Sequence, residues 1–143
     1  MLVKEVMNRD VKTARCTDTV KDAAKIMSEN RIGSLVVVSG MGEVVGIITE
    51  RDIMSKIVAF GRNADEVKVE EIMSKNIVTV SPDNTLEEAA NIMTAKKIKK
   101  LPVVEEGSLI GIVTASDLIA YEKELIGKIS TILTSSPLKS IGG

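Results

Sequence analysis

Two short segments of the chain carry residue types that could bind a ligand with phosphate or ribose groups. Both have the form Thr-x-x-Asp after an apolar run: Thr49 and Asp52 follow Ile47-Ile48, and Thr114 and Asp117 follow Ile112-Val113. At a strand-to-helix junction, free backbone N–H groups could bind phosphate, and an ionised Asp could accept both hydroxyls of a ribose. The same pattern is typical of a helix N-cap. Its recurrence at matching places favours ligand binding over capping alone.

Other residues with reactive side chains are scarce. The chain has no histidine and a single cysteine, Cys16, so Ser-His and Cys-His nucleophile pairs cannot form and the commonest zinc ligand is missing. We interpret Cys16 as an apolar filler or a wall residue of a site. Acidic pairs such as Glu87-Glu88 are adjacent in sequence and are expected at exposed positions, unlike the carboxylates of a paired-carboxylate catalyst. We therefore expect no enzymatic activity, no metal site and no required cofactor.

The composition limits the class of protein further. The chain has 143 residues, of which 44% are hydrophobic, so it can bury a core as one compact domain. Phe60 and Tyr121 are the only aromatic residues, which leaves no stacking platform for unpaired bases, and a net charge of −1 gives no basic surface for a duplex. No apolar run has the length of a membrane span, and no leader opens the chain. These features favour a soluble cytoplasmic protein without membrane or nucleic-acid partners.

The chain contains the same unit twice. Val3 recurs as Val69, an offset of 66, and thirteen residues between Val3 and Val38 are identical at that offset. Gly46–Asp52 then recurs as Gly111–Asp117 at an offset of 65. Duplicated units of this size usually pack against each other, because neither can bury its apolar face alone. We predict a first repeat over 1–58, a linker over 59–68, a second repeat over 69–122, and a C-terminal helix extension with a flexible tail over 123–143.

Each copy shows the signals of a strand, a helix, a hairpin and a second helix, in the order β-α-β-β-α. Capping boxes predict helix starts after Thr19 and Thr85, and the two Thr-x-x-Asp segments predict helix starts after Thr49 and Thr114. Glycine-containing turns separate the hairpin strands. The predicted strands are 11–14, 34–38 and 44–48 in the first copy, and 77–80, 101–104 and 109–113 in the second.

The C-terminal part of the chain carries a weaker signal. An apolar stripe formed by Leu125, Ile129 and Ile132 with Leu133 is expected to pack on the protein's own core or on a dimer mate, rather than on a membrane. The segment from Ser135 to Gly143 is expected to be a frayed tail.

Taken together, these motifs resemble a tandem pair of CBS domains, often called a Bateman module. The resemblance covers about residues 1–122 and is carried by four kinds of motif, two of which occur in both copies. These are Glu5-Val6-Met7 and Glu71-Ile72-Met73, Thr79-Val80-Ser81-Pro82, Leu101-Pro102-Val103-Val104, and the two segments in which Gly46 and Gly111 precede Thr-x-x-Asp.

The resemblance implies an α/β (α+β) fold in which two β-α-β-β-α repeats pack through their sheets with pseudo-two-fold symmetry. It also implies two clefts for adenosine compounds such as AMP, ADP, ATP or S-adenosylmethionine, and a homodimer of modules. Each cleft would join one Thr-x-x-Asp segment to the other copy. The first cleft would contain Thr49, Arg51, Asp52, Thr79, Val80, Pro82, Ile98, Lys99 and Lys100. The second would contain Thr114, Ser116, Asp117, Thr13, Ala14, Cys16, Ile32, Gly33 and Ser34.

The two predicted clefts differ in charge. The first gathers Arg51, Lys99 and Lys100, three cations suited to phosphate, whereas the second contains no basic residue among these members. The second also has Cys16 and Val36 where copy two has Pro82 and Pro102. We therefore expect phosphorylated ligands in the first cleft. An alternative is that Lys96, Lys97, Lys99 and Lys100 form a solvated edge; position favours the site for Lys99 and Lys100 only.

The function that follows from the resemblance is a non-catalytic module that binds an adenine nucleotide and modulates a separate, unknown partner protein. The alternative is a structural or nucleic-acid-binding adaptor with vestigial clefts. An enzyme would need a general acid or base in a cleft, and the sequence offers only Asp52 and Asp117, which the family resemblance assigns to ribose.

Overall fold

The computed structural model describes residues 1–135 and contains five strands and five helices, together with short 3₁₀ turns at Val3–Glu5 and Val58–Phe60. The strands are β1 (Thr13–Arg15), β2 (Ser34–Val38), β3 (Val44–Thr49), β4 (Lys100–Glu105) and β5 (Ser108–Thr114). The helices are α1 (Val20–Asn30), α2 (Glu50–Lys56), α3 (Val69–Ile72), α4 (Leu86–Lys96) and α5 (Ala115–Ser135). The predicted mixed α/β class is confirmed.

Helices α1 and α4 begin at the predicted capping boxes. The backbone N–H of Asp22 donates to the Thr19 hydroxyl, and that of Glu88 donates to the Thr85 hydroxyl, both at 3.1 Å. Each acid reaches back to the N–H of its Thr, so two free donors of the first turn are satisfied at once. Both helices end in a residue with left-handed backbone, Arg31 in one and Lys97 in the other.

Removing the Thr85 cap should destabilise the fold without touching either predicted cleft. Thr85→Ala is expected to lower the free energy of unfolding by about 1 kcal/mol, because one helix N–H loses its acceptor.

The hydrogen bond from the Thr85 backbone lowers the pKa of Glu88 below its ordinary value of 4.5. The contribution of Glu88 should therefore be present above that pKa and fade as the pH falls through the lowered value.

Urea titration measures the free energy of unfolding of the wild type and of Thr85→Ala. Repeating it at neutral and acidic pH measures how the contribution of Glu88 depends on pH. Thr94→Ala is the matched control, since Thr94 lies exposed on the same helix and does not cap it. The control should change stability by less than about 0.5 kcal/mol. Equal losses in the two variants would contradict the capping role.

The two copies build unequal sheets. In the first copy β1 pairs with β2 in parallel, and β2 pairs with β3 in an antiparallel ladder. In the second copy β4 and β5 form an antiparallel pair, while the predicted strand over 77–80 is reduced to a single bridge between Val80 and Val103.

Two prolines explain this correction. In the first copy the backbone N–H of Cys16 donates to the carbonyl oxygen of Val38 at 3.1 Å. Pro82 occupies the equivalent position in the second copy and has no N–H to donate. Pro102, the equivalent of Val36, removes a second donor on the facing strand. Only two hydrogen bonds to this segment are left. The N–H of Val80 donates to the carbonyl oxygen of Pro102, and the carbonyl oxygen of Val80 accepts the N–H of Val104.

Each copy sends its N-terminal segment into the other half. We call residues 1–8 the first arm and residues 67–74 the second arm. Val3 in the first arm donates its N–H to Asn84 at 2.8 Å, and Val69 in the second arm donates to Asp18 at the same distance. Asn84 and Asp18 are themselves equivalent positions, 66 residues apart. The arms are thus exchanged, in accord with pseudo-two-fold symmetry.

The exchange extends to the two hydrophobic cores. Val3 and Met7 of the first arm are buried among residues of the second copy. Val69 and Ile72 of the second arm are buried among residues of the first. Each half therefore completes its core with a segment that belongs, by sequence, to the other repeat.

Helix α5 continues well past the second repeat. It contacts α4 and β5, but its later turns project their apolar side chains outward. Leu125 is 44% exposed, and Ile129, Ile132 and Leu133 are 50%, 65% and 62% exposed. The predicted stripe therefore does not pack on the protein's own core. The frayed tail predicted beyond Ser135 lies outside the described residues.

Candidate functional site

Both Thr-x-x-Asp segments lie at the predicted strand-to-helix junctions and cap the helices that follow. At α2, the N–H of Asp52 donates to the Thr49 hydroxyl at 3.1 Å, and the N–H of Thr49 donates to Oδ2 of Asp52 at 3.0 Å. At α5, the corresponding distances between Thr114 and Asp117 are 3.1 and 2.9 Å. The capping interpretation therefore holds at both places, and it uses one carboxylate oxygen of each Asp.

The second carboxylate oxygen distinguishes the two motifs. Oδ1 of Asp52 lies 3.3 Å from Nζ of Lys56, and the Asp52 side chain is only 16% exposed. The same ammonium also donates to the carbonyl oxygen of Ile72 at 2.7 Å, which holds it in place. Asp117 makes no ion pair with any residue of the part of the chain that the structure describes. Oδ1 of Asp117 thus has no ion-pair partner among the described residues, whereas Oδ1 of Asp52 already contacts an ammonium.

A cavity of about 280 Å³ lies between the two halves beside Thr114. Three predicted members of the second cleft line it: Ile32, Ser34 and Thr114. Its volume is close to the lower end of ligand sites, which range from roughly 300 to 1,000 Å³. Val36 and Ile112 give the cavity an apolar wall. We keep the name second cleft for this cavity.

Lys100 also lines the second cleft, which corrects the predicted division of charge. The prediction placed Lys100 in the first cleft and left the second without a cation. In the structure its Nζ donates to Oγ of Ser34 at 2.9 Å, inside the cavity that Thr114 lines. The reason lies in the register, since Lys100 pairs with Thr114 across the β4–β5 ladder. Burial lowers the pKa of Lys100 below its ordinary value of 10.5.

The other predicted members of the second cleft are divided among different places. Thr13 and Cys16 line a neighbouring cavity of about 520 Å³ next to the β2–β3 turn. Ala14 is buried in the core of the first half. The carbonyl oxygen of Gly33 accepts the N–H of Glu50 at 2.9 Å, and Ser116 is exposed on the first turn of α5.

The structure does not bring the cations of the first predicted cleft together. Arg51 is exposed and lines a surface pocket with Met54 and Ala59 that shares no lining residue with the cavity beside Lys100. Lys99 is exposed, and its carbonyl oxygen accepts the N–H of Ala115 at 2.8 Å.

The remaining members of the first predicted cleft have clear structural surroundings. Val80 is buried in the core of the second half, and Ile98 packs against the same core. Pro82 is buried, and its carbonyl oxygen accepts the N–H of Lys4 at 3.0 Å. Thr79 is exposed, and Thr49 is half-buried at the start of α2. Packing accounts for Val80, Pro82 and Ile98, and capping accounts for Thr49.

From the sequence, neither cleft was assigned the four polar lining residues Asn8, Asp10, Lys12 and Asn30, or the apolar Val11, Val36 and Ile112. Asn8 reaches the cleft because the first arm crosses to the second half, where its backbone forms two hydrogen bonds with Ile112 at 2.8 and 2.9 Å. Lys12 lies 3.4 Å from Asp10 in an exposed ion pair, so its charge is already partly compensated. Local motifs carry no signal for the exchange of arms, and so these residues could not be predicted from them.

Residues 1–135 contain neither a cluster of metal-ligating side chains nor a membrane-spanning helix. No group of three or more His, Cys, Asp or Glu side chains among them could hold a metal ion. None of the helices within residues 1–135 is long and apolar enough to span a membrane.

Comparison with known proteins supports the family resemblance. The CBS domain family matches residues 3–59 and 69–124. An uncharacterized protein of Methanopyrus kandleri is 44% identical over 128 residues, covering 89% of this chain and 65% of its own length. The chain therefore spans about two thirds of that relative. The CBS domain-containing protein YhcV of Bacillus subtilis is 35% identical, over 81% of each chain.

A solved structure extends the match to the fold. The CBS domain pair of protein MJ0100, in complex with 5′-methylthioadenosine and S-adenosyl-L-methionine, is 32% identical and superposes with a TM-score of 0.74. It covers 87% of this chain, and this chain covers 97% of it. The match to both repeats, the identities and the shared fold together show that this chain belongs to the CBS domain family as a tandem pair of CBS domains.

Proposed function

We propose that the chain is a non-catalytic regulatory module that binds an adenosine ligand in the second cleft. The observation that carries the proposal is the meeting of Thr114, Ser34 and Lys100 around one cavity between the two halves. Asp117 is half-buried on the turn that follows Thr114 and does not itself line the cavity; it would accept ribose hydroxyls with its second carboxylate oxygen, and Lys100 would donate to a phosphate. The complex of a related pair with two adenosine compounds supports this ligand class.

The geometry favours the second cleft over the first. Lys100 is the cation of the second cleft that lacks a carboxylate partner among the described residues, since Lys12 is paired with Asp10. An anionic ligand would compensate this half-buried charge, whose hydrogen bond is to the neutral hydroxyl of Ser34. In the first motif, ribose recognition by Asp52 would compete with Lys56 for the same oxygen. We therefore propose that a ligand phosphate contacts Lys100 in the second cleft.

Regulation would follow from the position of the cleft. Ser34 belongs to the first half, whereas Thr114 and the first arm belong to the second, so a ligand in the cleft bridges both. A ligand with different affinity for two arrangements of the halves shifts their populations, and a separate partner protein that binds one arrangement would be regulated. We propose that the module acts in the cytoplasm as a homodimer.

Thermal denaturation tests whether an adenosine ligand binds. At about 100 times its dissociation constant, such a ligand should stabilise the native state by roughly 2.7 kcal/mol. The panel should contain AMP, ADP, ATP, S-adenosylmethionine and 5′-methylthioadenosine, with ribose 5-phosphate as a control for simple anion binding. If none of the adenosine compounds shifts the melting temperature more than the control does, the sensor proposal is wrong and a structural adaptor is favoured.

A further inference from the structure

The contact between Lys100 and Ser34 crosses between the two repeats. The two residues occupy equivalent positions in the repeats, 66 residues apart. Nζ of Lys100 and Oγ of Ser34 are nevertheless only 2.9 Å apart. In a two-fold arrangement, a contact between equivalent positions lies on the axis. The ammonium therefore lies on or beside the pseudo-two-fold axis that relates the two halves.

The strand registers place one Thr-x-x-Asp segment on each side of this axis. Ser34 pairs with Thr49 across the β2–β3 ladder, and Lys100 pairs with Thr114 across the β4–β5 ladder. The Lys100 side chain starts beside Thr114 and ends at the residue that neighbours Thr49. The side chain therefore reaches from the strand pair that carries Thr114 to the strand pair that carries Thr49.

The sequence provides only one cation at this axial position. A symmetric pair would carry the same residue in both copies, but here copy one has serine and copy two has lysine. Among the described residues, no carboxylate forms an ion pair with Lys100. The ammonium has three N–H donors, of which one already binds Ser34, so two anions on opposite sides of the axis would have to share its single charge.

We propose that Lys100 is a cation shared by the two clefts, so that binding of a phosphorylated adenosine ligand on one side weakens binding of a second on the other. This inference rests on the proposed function and adds that the two clefts do not bind phosphorylated ligands independently. The first ligand takes the ammonium, and a second ligand then has to bind without it. The penalty is reciprocal, since coupling between two sites acts equally in both directions. Ligands without phosphate should not show it.

Isothermal titration calorimetry with AMP and adenosine tests the proposal. The wild type should bind one AMP per chain at least about 10-fold more tightly than any second, the scale of a charge-assisted hydrogen bond. Lys100→Ser should reduce AMP affinity by about 10-fold or more and leave adenosine affinity within about 2-fold. Ser34→Lys supplies a second axial cation and should add a second tight AMP site. Lys96→Ser removes an exposed lysine on α4 and is the matched control.

The outcomes separate the inference from the proposed function. Two equal and independent AMP sites in the wild type would overturn the shared cation but leave the module a nucleotide binder. The same conclusion would follow if Lys100→Ser weakened AMP and adenosine equally. Absence of binding of both compounds to the wild type would overturn the inference and the proposed function together. Melting curves of each variant exclude loss of folding as the cause, and the double variant Ser34→Lys/Lys100→Ser should restore a single tight site.

Discussion

Replacement of Asp117 by alanine is expected to weaken adenosine-ligand binding by about 10- to 100-fold. A hydrogen bond to a charged group contributes about 1.5–3 kcal/mol, and Asp117 has a carboxylate oxygen available for a ribose. Asp52→Ala should have a much smaller effect, because the corresponding oxygen already contacts Lys56 at 3.3 Å. Calorimetric titration of both variants with the ligand that binds the wild type most tightly measures the difference.

The chain contains its own control for the capping role of these residues. Asp22 stands in the same Thr-x-x-Asp arrangement at the start of α1, but it is exposed, and its capping partner Thr19 does not line the second cleft as Thr114 does. Asp22→Ala should lose about 0.3–1 kcal/mol of stability through the helix end and leave affinity unchanged. If Asp52→Ala weakens binding as much as Asp117→Ala, the assignment to the second cleft is wrong. If neither variant does so, capping is the role of both residues.

Substitution of Gly46 by alanine should destabilise the fold by about 1–3 kcal/mol, because a methyl group would overlap the second arm. A Cβ at this position would lie 2.6 Å from Sδ of Met73 and 2.8 Å from the carbonyl oxygen of Ser74. The equivalent change, Gly111→Ala, would meet Met7 at 2.6 Å but a backbone oxygen, that of Asn8, only at 3.2 Å. A methionine side chain can move more readily than a backbone, so Gly46→Ala should cost more than Gly111→Ala.

Chemical denaturation of the two variants measures both costs. Gly40→Ala is a suitable control, since nothing lies within 4 Å of a Cβ there and the backbone of Gly40 is not left-handed. The control should be neutral or slightly stabilising, through reduced entropy of the unfolded chain. A loss in Gly46→Ala no greater than in Gly40→Ala would show that the arm is not tightly held against β3.

Short-range features of the fold were predictable from sequence. The capping boxes at Thr19 and Thr85 appear where the Ser/Thr-x-x-acid pattern placed them, because their hydrogen bonds join residues three apart. Strand β2 has the predicted bounds of Ser34–Val38. The failure at 77–80 is also local in origin, since Pro82 and Pro102 remove ladder donors that the apolar pattern alone does not take into account.

Features that depend on distant residues were not predictable in the same way. The side chain of Lys100 follows Lys99 in a basic run, and sequence alone gave no reason to separate the two. In the structure Lys99 is exposed while Lys100 lies half-buried against Ser34. The contribution of Asn8 to the second cleft depends on the exchange of arms. Such placements follow from how the two copies pack, which no local pattern records.

The exchanged arms bear on how such a chain could have arisen. In this arrangement, a molecule with one copy of the unit could complete its core only by receiving the arm of a second molecule, which is domain swapping between two chains. Joining the copies through a linker places each arm at a high effective concentration beside its acceptor, on the order of millimolar for short flexible linkers. Gene duplication would thus have converted a concentration-dependent assembly into one that forms within a single chain, and freed each copy to diverge. The replacement of a second axial lysine by Ser34, or of a serine by Lys100, is the kind of divergence that such fusion permits.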